Sequence, residues 1–217
     1  MNLPSPVEAT EIEAAEVEAA PGAAPDAPRR GQLRRADKIM TSEEIDAFLA
    51  GAFCGRTATI GADGYPYVVP NLFVWARGLV YLHTAKLEGH FLANVRHCDR
   101  ASFEIDEAGE VWAYGPVECD TTISYRSVIL FGRIREIDAA AEKMEFYSRF
   151  MRKYAPTDSW GREVGSFPRM HKTIVYAITP EAVTGKQGPL PPLAERWPHK
   201  RAPAVAVPDA SAGVLST

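Results

Sequence analysis

The stretch from residue 54 to residue 84 constrains the fold more than any other part of the chain. Three runs rich in Val, Thr, Ile, Tyr and Phe are separated there by two turn signals, Ala62-Asp63-Gly64 and Arg77-Gly78. Short β-prone runs joined by glycine-containing turns are typical of antiparallel hairpins. The stretch therefore predicts a three-stranded antiparallel meander, which argues against the regular β-α-β units of a doubly wound fold.

The central run of this stretch, from Tyr67 to Trp75, is apolar at both sets of alternating positions. Such a strand is expected to be covered on both of its faces, as a barrel wall at an interface would be. Pro70 removes one backbone donor from the run, which predicts an edge strand, a bulge or a contact with something other than a strand.

Helical periodicity marks three other segments. Thr41 and Glu44 have the spacing of a capping box, which predicts a helix from Ser42 to about Gly51. A second helix is predicted within residues 86–97 and a third over 138–154, with Asp138 as its N-cap. The apolar face of the third helix is predicted to hold Met144, Tyr147, Phe150, Met151 and Tyr154. Further strands are predicted at 101–106, 111–119, 124–137 and 172–178, so the chain is expected to be mainly β, a small antiparallel barrel with helices outside it.

The distribution of aromatic residues predicts the limits of the folded domain. All Phe, Tyr and Trp residues lie between Phe48 and Trp197. The chain is therefore divided into a disordered acidic tail at 1–30, one domain at 31–197 and a disordered C-terminal tail at 198–217.

Charge excludes some classes of partner. The net charge is −4, and the first 28 residues carry six acids and no Lys or Arg, so residues 29–217 carry +2. This small excess does not predict a nucleic-acid-binding surface. The sequence has no apolar run long enough to span a bilayer, so a cytoplasmic, soluble protein is expected. The histidines are scattered and do not predict a metal site.

A polar corner follows the third run of the meander. His83 and Thr84 end the strand, and Lys86, Gly89 and His90 follow at the start of the next helix. Hydroxyl, imidazole and free backbone N–H donors around one point suit a phosphate group. The alternative is that these residues are polar only because they cap the helix.

Three segments resemble the flavin-binding split-barrel superfamily, in the branch of pyridoxamine-phosphate-oxidase-like proteins related to nitroimidazole reductases. They are GYPYVVPNLF at 64–73, LVYLHTAKLEGHFLANVRHCDRASFEID at 79–106 and YRSVILFGRIRE at 125–136. The resemblance implies a six-stranded antiparallel split barrel with Greek-key-like topology and outer helices. It also implies a homodimer that holds FMN in grooves between its subunits.

The same resemblance implies which residues contact the cofactor. Positions 68–71 would line the isoalloxazine, the Gly89-His90 turn would hold the phosphate, and Ser127 would reach the cofactor from the long strand. The implied set is Val68, Val69, Pro70, Asn71, His83, Thr84, Gly89, His90, Tyr125, Ser127, Val128 and Lys186. One departure is Phe91, which stands where relatives often carry a Lys after the Gly-x pair. His90, Lys86 or an arginine would have to replace that ammonium, or the affinity for FMN is low.

The resemblance implies an FMN-dependent oxidoreductase that reduces a small nitro-aromatic or quinone-like acceptor with electrons from a reduced nicotinamide. Oxidation of vitamin B6 is not expected, because the Arg-x-His-type segment of true pyridoxamine-phosphate oxidases is absent. A flavin can carry out this chemistry itself, so the sequence identifies no catalytic side chain. The alternatives are a non-catalytic protein that binds or senses flavin or haem, a deazaflavin-dependent reductase, and a dimeric barrel without a cofactor.

Overall fold

The structure of the chain, a computed structural model, describes residues 33–155, 167–192 and 196. Both predicted tails, 1–30 and 198–217, lie outside the described residues. The described part contains three α-helices, two short 3-10 helices (Ala36–Lys38 and Met170–Lys172) and one antiparallel sheet of seven strands. The helices are α1 (Ser42–Gly51), α2 (His90–His97) and α3 (Ala140–Tyr154). The strands are β1 (Gly55–Ile60), β2 (Pro66–Asn71), β3 (Phe73–Ala76), β4 (Leu79–Ala85), β5 (Arg100–Ala113), β6 (Thr121–Glu136) and β7 (Thr173–Gly188).

The sheet closes on itself at Leu72. Its strand order is β2-β1-β5-β6-β7-β4-β3, so its two end strands are consecutive in sequence and are separated only by Leu72. The central run of the meander therefore pairs with β1 through its first half and with β4 through its second half. β2 and β3 are the two halves of one run and count as one strand of the barrel. The sheet is therefore a six-stranded split barrel, which confirms the predicted fold class.

The environment of Pro70 follows from this closure. Within the described ranges β2 pairs with β1 alone, so Pro70 lies in a strand with one free edge, as its missing donor predicts. The prediction that both faces of the central run are covered is correct for β3, where Phe73 and Val74 are buried. For β2 it stays a prediction, because the Val68 side chain is 58 % exposed in the single chain and only a partner could cover it.

Two strands are longer than the sequence predicts. β5 is one strand with an irregular register between Ala108 and Val111, where two separate strands were expected. Cys119, predicted to end a strand, lies instead in the turn that precedes β6. β7 continues to Gly188, opposite Tyr125, because the long β6 offers hydrogen-bond partners along its whole length.

The N-termini of α1 and α3 can be compared with the predicted caps. The α1 capping box is confirmed: the Thr41 backbone N–H donates to Glu44 Oε2 at 2.8 Å, and the Glu44 N–H donates to Thr41 Oγ1 at 3.2 Å. The predicted Asp138 cap is wrong, because α3 starts one residue later, with Ala139 at the N-cap position and no side-chain cap. Within α3, Met144 is exposed and Phe146 is the buried residue.

The core has two parts. The barrel interior is filled by aromatic and aliphatic side chains, with the Phe73 and Phe103 rings 4.8 Å apart between centroids. The second part lies under α3, where Phe146 packs with Val74 and Val175. None of the helices in the described ranges is long and apolar enough to cross a bilayer.

Gly132 allows β6 and β7 to approach closely where their register shifts. A Cβ at this position would lie 2.1 Å from the Thr179 carbonyl oxygen, which belongs to the backbone and cannot rotate away. We expect Gly132→Ala to lower the free energy of unfolding by about 2 kcal/mol or more, measured from urea denaturation midpoints. Gly51→Ala is the control, because a Cβ there meets no atom within 4 Å. Equal midpoints for the two variants would contradict this account.

Candidate functional site

The free edge of β2 forms the first part of the candidate site. In a strand that pairs on one side only, alternate residues keep their backbone N–H and C=O groups unpaired. Tyr67 and Val68 on this strand are 37 % and 58 % exposed. β2 therefore offers apolar surface next to free backbone donors and acceptors.

The N-terminus of α2 lies beside this strand. The His90 and Tyr67 rings contact each other, with centroids 5.8 Å apart and planes inclined by 31°. Gly89 is the N-cap residue, with extended backbone and no side-chain cap, and a Cβ added there would meet nothing within 4 Å. The first N–H groups of the helix are therefore open to an anion. The structure thus brings β2 and the Gly89-His90 turn together.

Phe91 is part of the core. It is 8 % exposed, and its ring meets the Tyr176 ring edge to face with centroids 5.3 Å apart. The position where relatives carry an ammonium is therefore used for packing in this chain. The acid nearest to the turn, Glu88, is paired with Arg96 at 3.1 Å.

His83 and Thr84 are directed to opposite sides of β4. The His83 ring lies among the aromatic side chains of α3, 5.0 Å from the Phe150 ring, and its Nδ1 is buried without a partner among the described residues. The Thr84 hydroxyl lies 3.2 Å from the Tyr176 hydroxyl. The predicted gathering of both side chains around one point is wrong, because successive residues of a strand face opposite sides of the sheet.

The β6 and β7 residues form a separate group. Ser127 is paired with Lys186, and the Lys186 ammonium lies 5.7 Å from the centre of the Tyr125 ring. β1 and β5 separate β6 from β2, so this group lies about 14 Å from β2 across the sheet. One chain therefore does not bring the two groups together.

Two predicted residues face the barrel interior. Val128 is 1 % exposed, and Val69, paired with the buried Thr57, packs against the same core. Only their backbone groups can face a ligand outside the barrel. Asn71 is half-buried, and its Oδ1 is buried without a partner among the described residues.

Two residues near these groups were missed by sequence reasoning. Tyr67 stands directly before the predicted Val68, and its contact with His90 depends on the pairing of β2. Lys38 reaches the Tyr125 ring at 5.8 Å because Ile39 forms an isolated β-bridge with Lys186. No sequence signal links Lys38 to Tyr125, since their contact is purely tertiary.

A pocket of about 220 Å³ lies next to the β6–β7 group. It is formed where the irregular part of β5 meets the start of β6 and the end of β7. Its lining residues are Glu107, Gly109, Ser124, Tyr125, Arg126, Gln187, Gly188 and Pro189. Tyr125 is the one predicted site residue in this lining.

Comparisons with known proteins agree with this architecture. Residues 41–187 match the family described as pyridoxamine 5'-phosphate oxidase. No curated protein matches the chain.

Among solved structures, a candidate 5-nitroimidazole antibiotic resistance protein from Bacteroides thetaiotaomicron has a TM-score of 0.58 and 21 % identity, covering 69 % of this chain and 86 % of its own. The flavocytochrome Anf3 from Azotobacter vinelandii has a TM-score of 0.58 and 22 % identity, covering 71 % and 72 %. An FAD and heme binding protein from Mycobacterium smegmatis has a TM-score of 0.59 and 17 % identity, covering 82 % and 92 %. At these identities the likeness shows the shared fold.

The environment of His83 generates a prediction about acid stability. Burial lowers the pKa of His83, because the aromatic cage disfavours the charged imidazole. The folded state therefore keeps the imidazole neutral. The buried neutral ring stabilises the fold above the ordinary pKa of about 6.5, and this stabilisation is lost as the pH falls below that value. We expect His83→Phe to flatten the loss of stability on acidification, measured by urea denaturation at several pH values. The exposed His171, replaced by Gln, is the control, and an unchanged pH profile in His83→Phe would contradict the assignment.

Proposed function

Because the chain belongs to the pyridoxamine 5'-phosphate oxidase family, with a match that runs from α1 to the last strand, we propose that it is an FMN-binding flavoprotein. We further propose that it reduces a small nitro-aromatic or quinone-like acceptor with electrons from a reduced nicotinamide. The observation that carries the proposal is the free edge of β2 beside the open Gly89-His90 turn. A bound flavin supplies the transfer of two electrons as a hydride.

The residues at these two positions fit such a cofactor. The unpaired N–H groups at the start of α2 suit a phosphate, and Gly89 leaves its surroundings open. The free backbone groups of β2 suit a ring that carries donors and acceptors at its rim. Val68 and Pro70, both exposed, would cover the ring and exclude water from it.

The missing ammonium at Phe91 leaves the phosphate to be held mainly by backbone groups and His90. His90 is exposed and stands at the first position of α2. Ser127 would contribute a hydroxyl from the second group, and Lys186 stands opposite it on β7. His83, Val69 and Val128 would support the site through packing and backbone, because their side chains lie in the core.

We propose that a second copy of the chain completes the site. The β6–β7 group lies about 14 Å from β2 within one chain, so the two groups can share one cofactor if they belong to different subunits. The outer face of β2, β1, β5 and β6 carries Ile60, Val68 and Ile129, which are 37 %, 58 % and 38 % exposed. The ion pair of Arg56 with Glu104 lies between Val68 and Ile129 and neutralises the charges on this face. Exposed apolar faces of this kind mark protein interfaces, and a twofold homodimer would bury this one.

A second candidate is binding of flavin or haem without catalysis. Phe91 favours it, because a phosphate site without an ammonium is expected to hold FMN more weakly. An absorption spectrum of the protein as purified distinguishes flavin from haem. Reduction of the bound flavin by NADH or NADPH, with turnover of an acceptor, would count against binding alone.

The proposed cofactor is tested by titrating FMN into the purified protein and measuring the quenching of flavin fluorescence. We expect saturable binding, weakened about tenfold in Ser127→Ala, because one hydrogen bond to the ligand is removed. Ser148→Ala in α3 is the matched control and should leave the affinity unchanged. Purified protein that carries no flavin and fails to bind FMN would refute the proposal.

The proposed dimer is tested by placing a charge on the apolar face. Ile129→Asp should convert the dimer to a monomer, because a buried unpaired carboxylate is costly, and should also reduce FMN binding. Met144→Asp is the matched control, since Met144 is 48 % exposed on α3, away from that face. Light scattering coupled to gel filtration measures the mass, and a dimer that survives in Ile129→Asp would place the interface elsewhere.

A further inference from the structure

The pocket beside Tyr125 is too small for a whole flavin. Its volume of about 220 Å³ lies below the roughly 300–1,000 Å³ that is typical of pockets for larger ligands. Gly109 and Gly188 bring its walls together: a Cβ at Gly188 would lie 2.9 Å from the Tyr125 ring, and one at Gly109 would lie 2.3 Å from Ser124 Oγ. The space suits a single ring with one or two substituents.

Two lysines outside the pocket lining lie over the Tyr125 ring, which is part of that lining. The ammonium of Lys186 lies 5.7 Å and that of Lys38 lies 5.8 Å from the ring centre. Lys38 is held there by backbone contacts: Ile39 bridges Lys186, and the Met40 N–H donates to the Gly185 carbonyl oxygen at 3.0 Å. The backbone of Lys38 is therefore held beside that of Lys186, although the two residues belong to distant parts of the chain.

The carboxylates around this pocket are already engaged. Glu107 pairs with Arg126, Glu110 pairs with Arg196 at 3.0 Å, and Asp37 pairs with Arg35 at 2.7 Å. Glu44 accepts from the Thr41 backbone and from Gln187. Among the described residues, neither Lys38 nor Lys186 forms an ion pair. Two like charges on one ring, neither of them in an ion pair, leave a local excess of positive charge. Asp37, whose pKa is lowered mainly by Arg35 and to a smaller extent by Lys38, offsets only part of it.

We propose that Lys38 and Lys186 form, with Tyr125, an anion clamp that binds the carboxylate of a single-ring aromatic acceptor whose ring occupies the adjoining pocket. This inference rests on the proposed function, in which Ser127 contacts the flavin. Ser127 lies two residues from Tyr125 on the same face of β6, which is about 7 Å along the strand. A ligand held by the clamp is thus kept beside the cofactor position, and the clamp selects acidic acceptors over neutral ones.

The probe is 4-nitrobenzoate, compared with neutral nitrobenzene, and the dissociation constants are measured by isothermal titration with and without added FMN. We expect Lys38→Met and Lys186→Met each to weaken 4-nitrobenzoate binding about tenfold and to leave nitrobenzene unaffected, because each removes one charge-assisted contact. The affinity for 4-nitrobenzoate should also fall with added salt. Lys172→Met is the control and should behave as the unaltered protein, because Lys172 is an exposed lysine at the end of the second 3-10 helix, directly before β7. Circular dichroism verifies that the variants are folded.

Three results would overturn the clamp: no binding of 4-nitrobenzoate to the unaltered protein, an equal loss for both probes, or no loss in either variant. FMN and riboflavin are titrated in parallel. If the lysine variants lose affinity for FMN and keep it for riboflavin, the lysines hold the cofactor phosphate instead, which also overturns the proposal. Failure of FMN to bind the unaltered protein is a separate outcome that removes the proposed function, while the 4-nitrobenzoate titration still decides the clamp.

Discussion

The change of ladder partner at Leu72 is the constraint on which the rest of the structure depends. The apolar segment before this residue pairs with β1, and the segment after it pairs with β4. This change of partner closes the sheet. Closure creates an interior that β5, β6 and β7 fill with large side chains such as Phe103 and Tyr176. It also leaves β2 with a free edge, because the segment has only one partner at a time. The same feature therefore produces both the core and the opening beside it.

Closure also divides the surface into two regions with different roles. α3 covers the outside of β3, β4 and the start of β7, where Phe146 and its neighbours enclose His83. The outer face of β2, β1, β5 and β6 keeps Ile60, Val68 and Ile129 exposed. An antiparallel sheet normally buries one face and hydrates the other. A second apolar face therefore favours association of two chains, which would also unite the β2 group with the β6–β7 group.

Charge is distributed according to the same division. Arg56 bonds to Glu104 at 3.0 Å and also to Asp106, and Arg133 pairs with Asp99 and Glu181, so these charges on the exposed side of the sheet are neutralised by ion pairs. Such exposed pairs contribute little to stability. Lys38 and Lys186, which lie over the Tyr125 ring, differ from them because neither forms an ion pair with a described carboxylate.

The sequence by itself determined the local elements, because periodicity, turn residues and capping act over a few positions. It predicted the α1 cap, the mainly β content, the edge character of Pro70 and, through the family resemblance, the split barrel. Only the tertiary structure decided which residues meet across the chain. It separated His83 from Thr84, placed Val128 in the core and brought Lys38 to Tyr125. The reason is that strand register sets the direction of each side chain, and register depends on pairing between segments that are far apart in sequence.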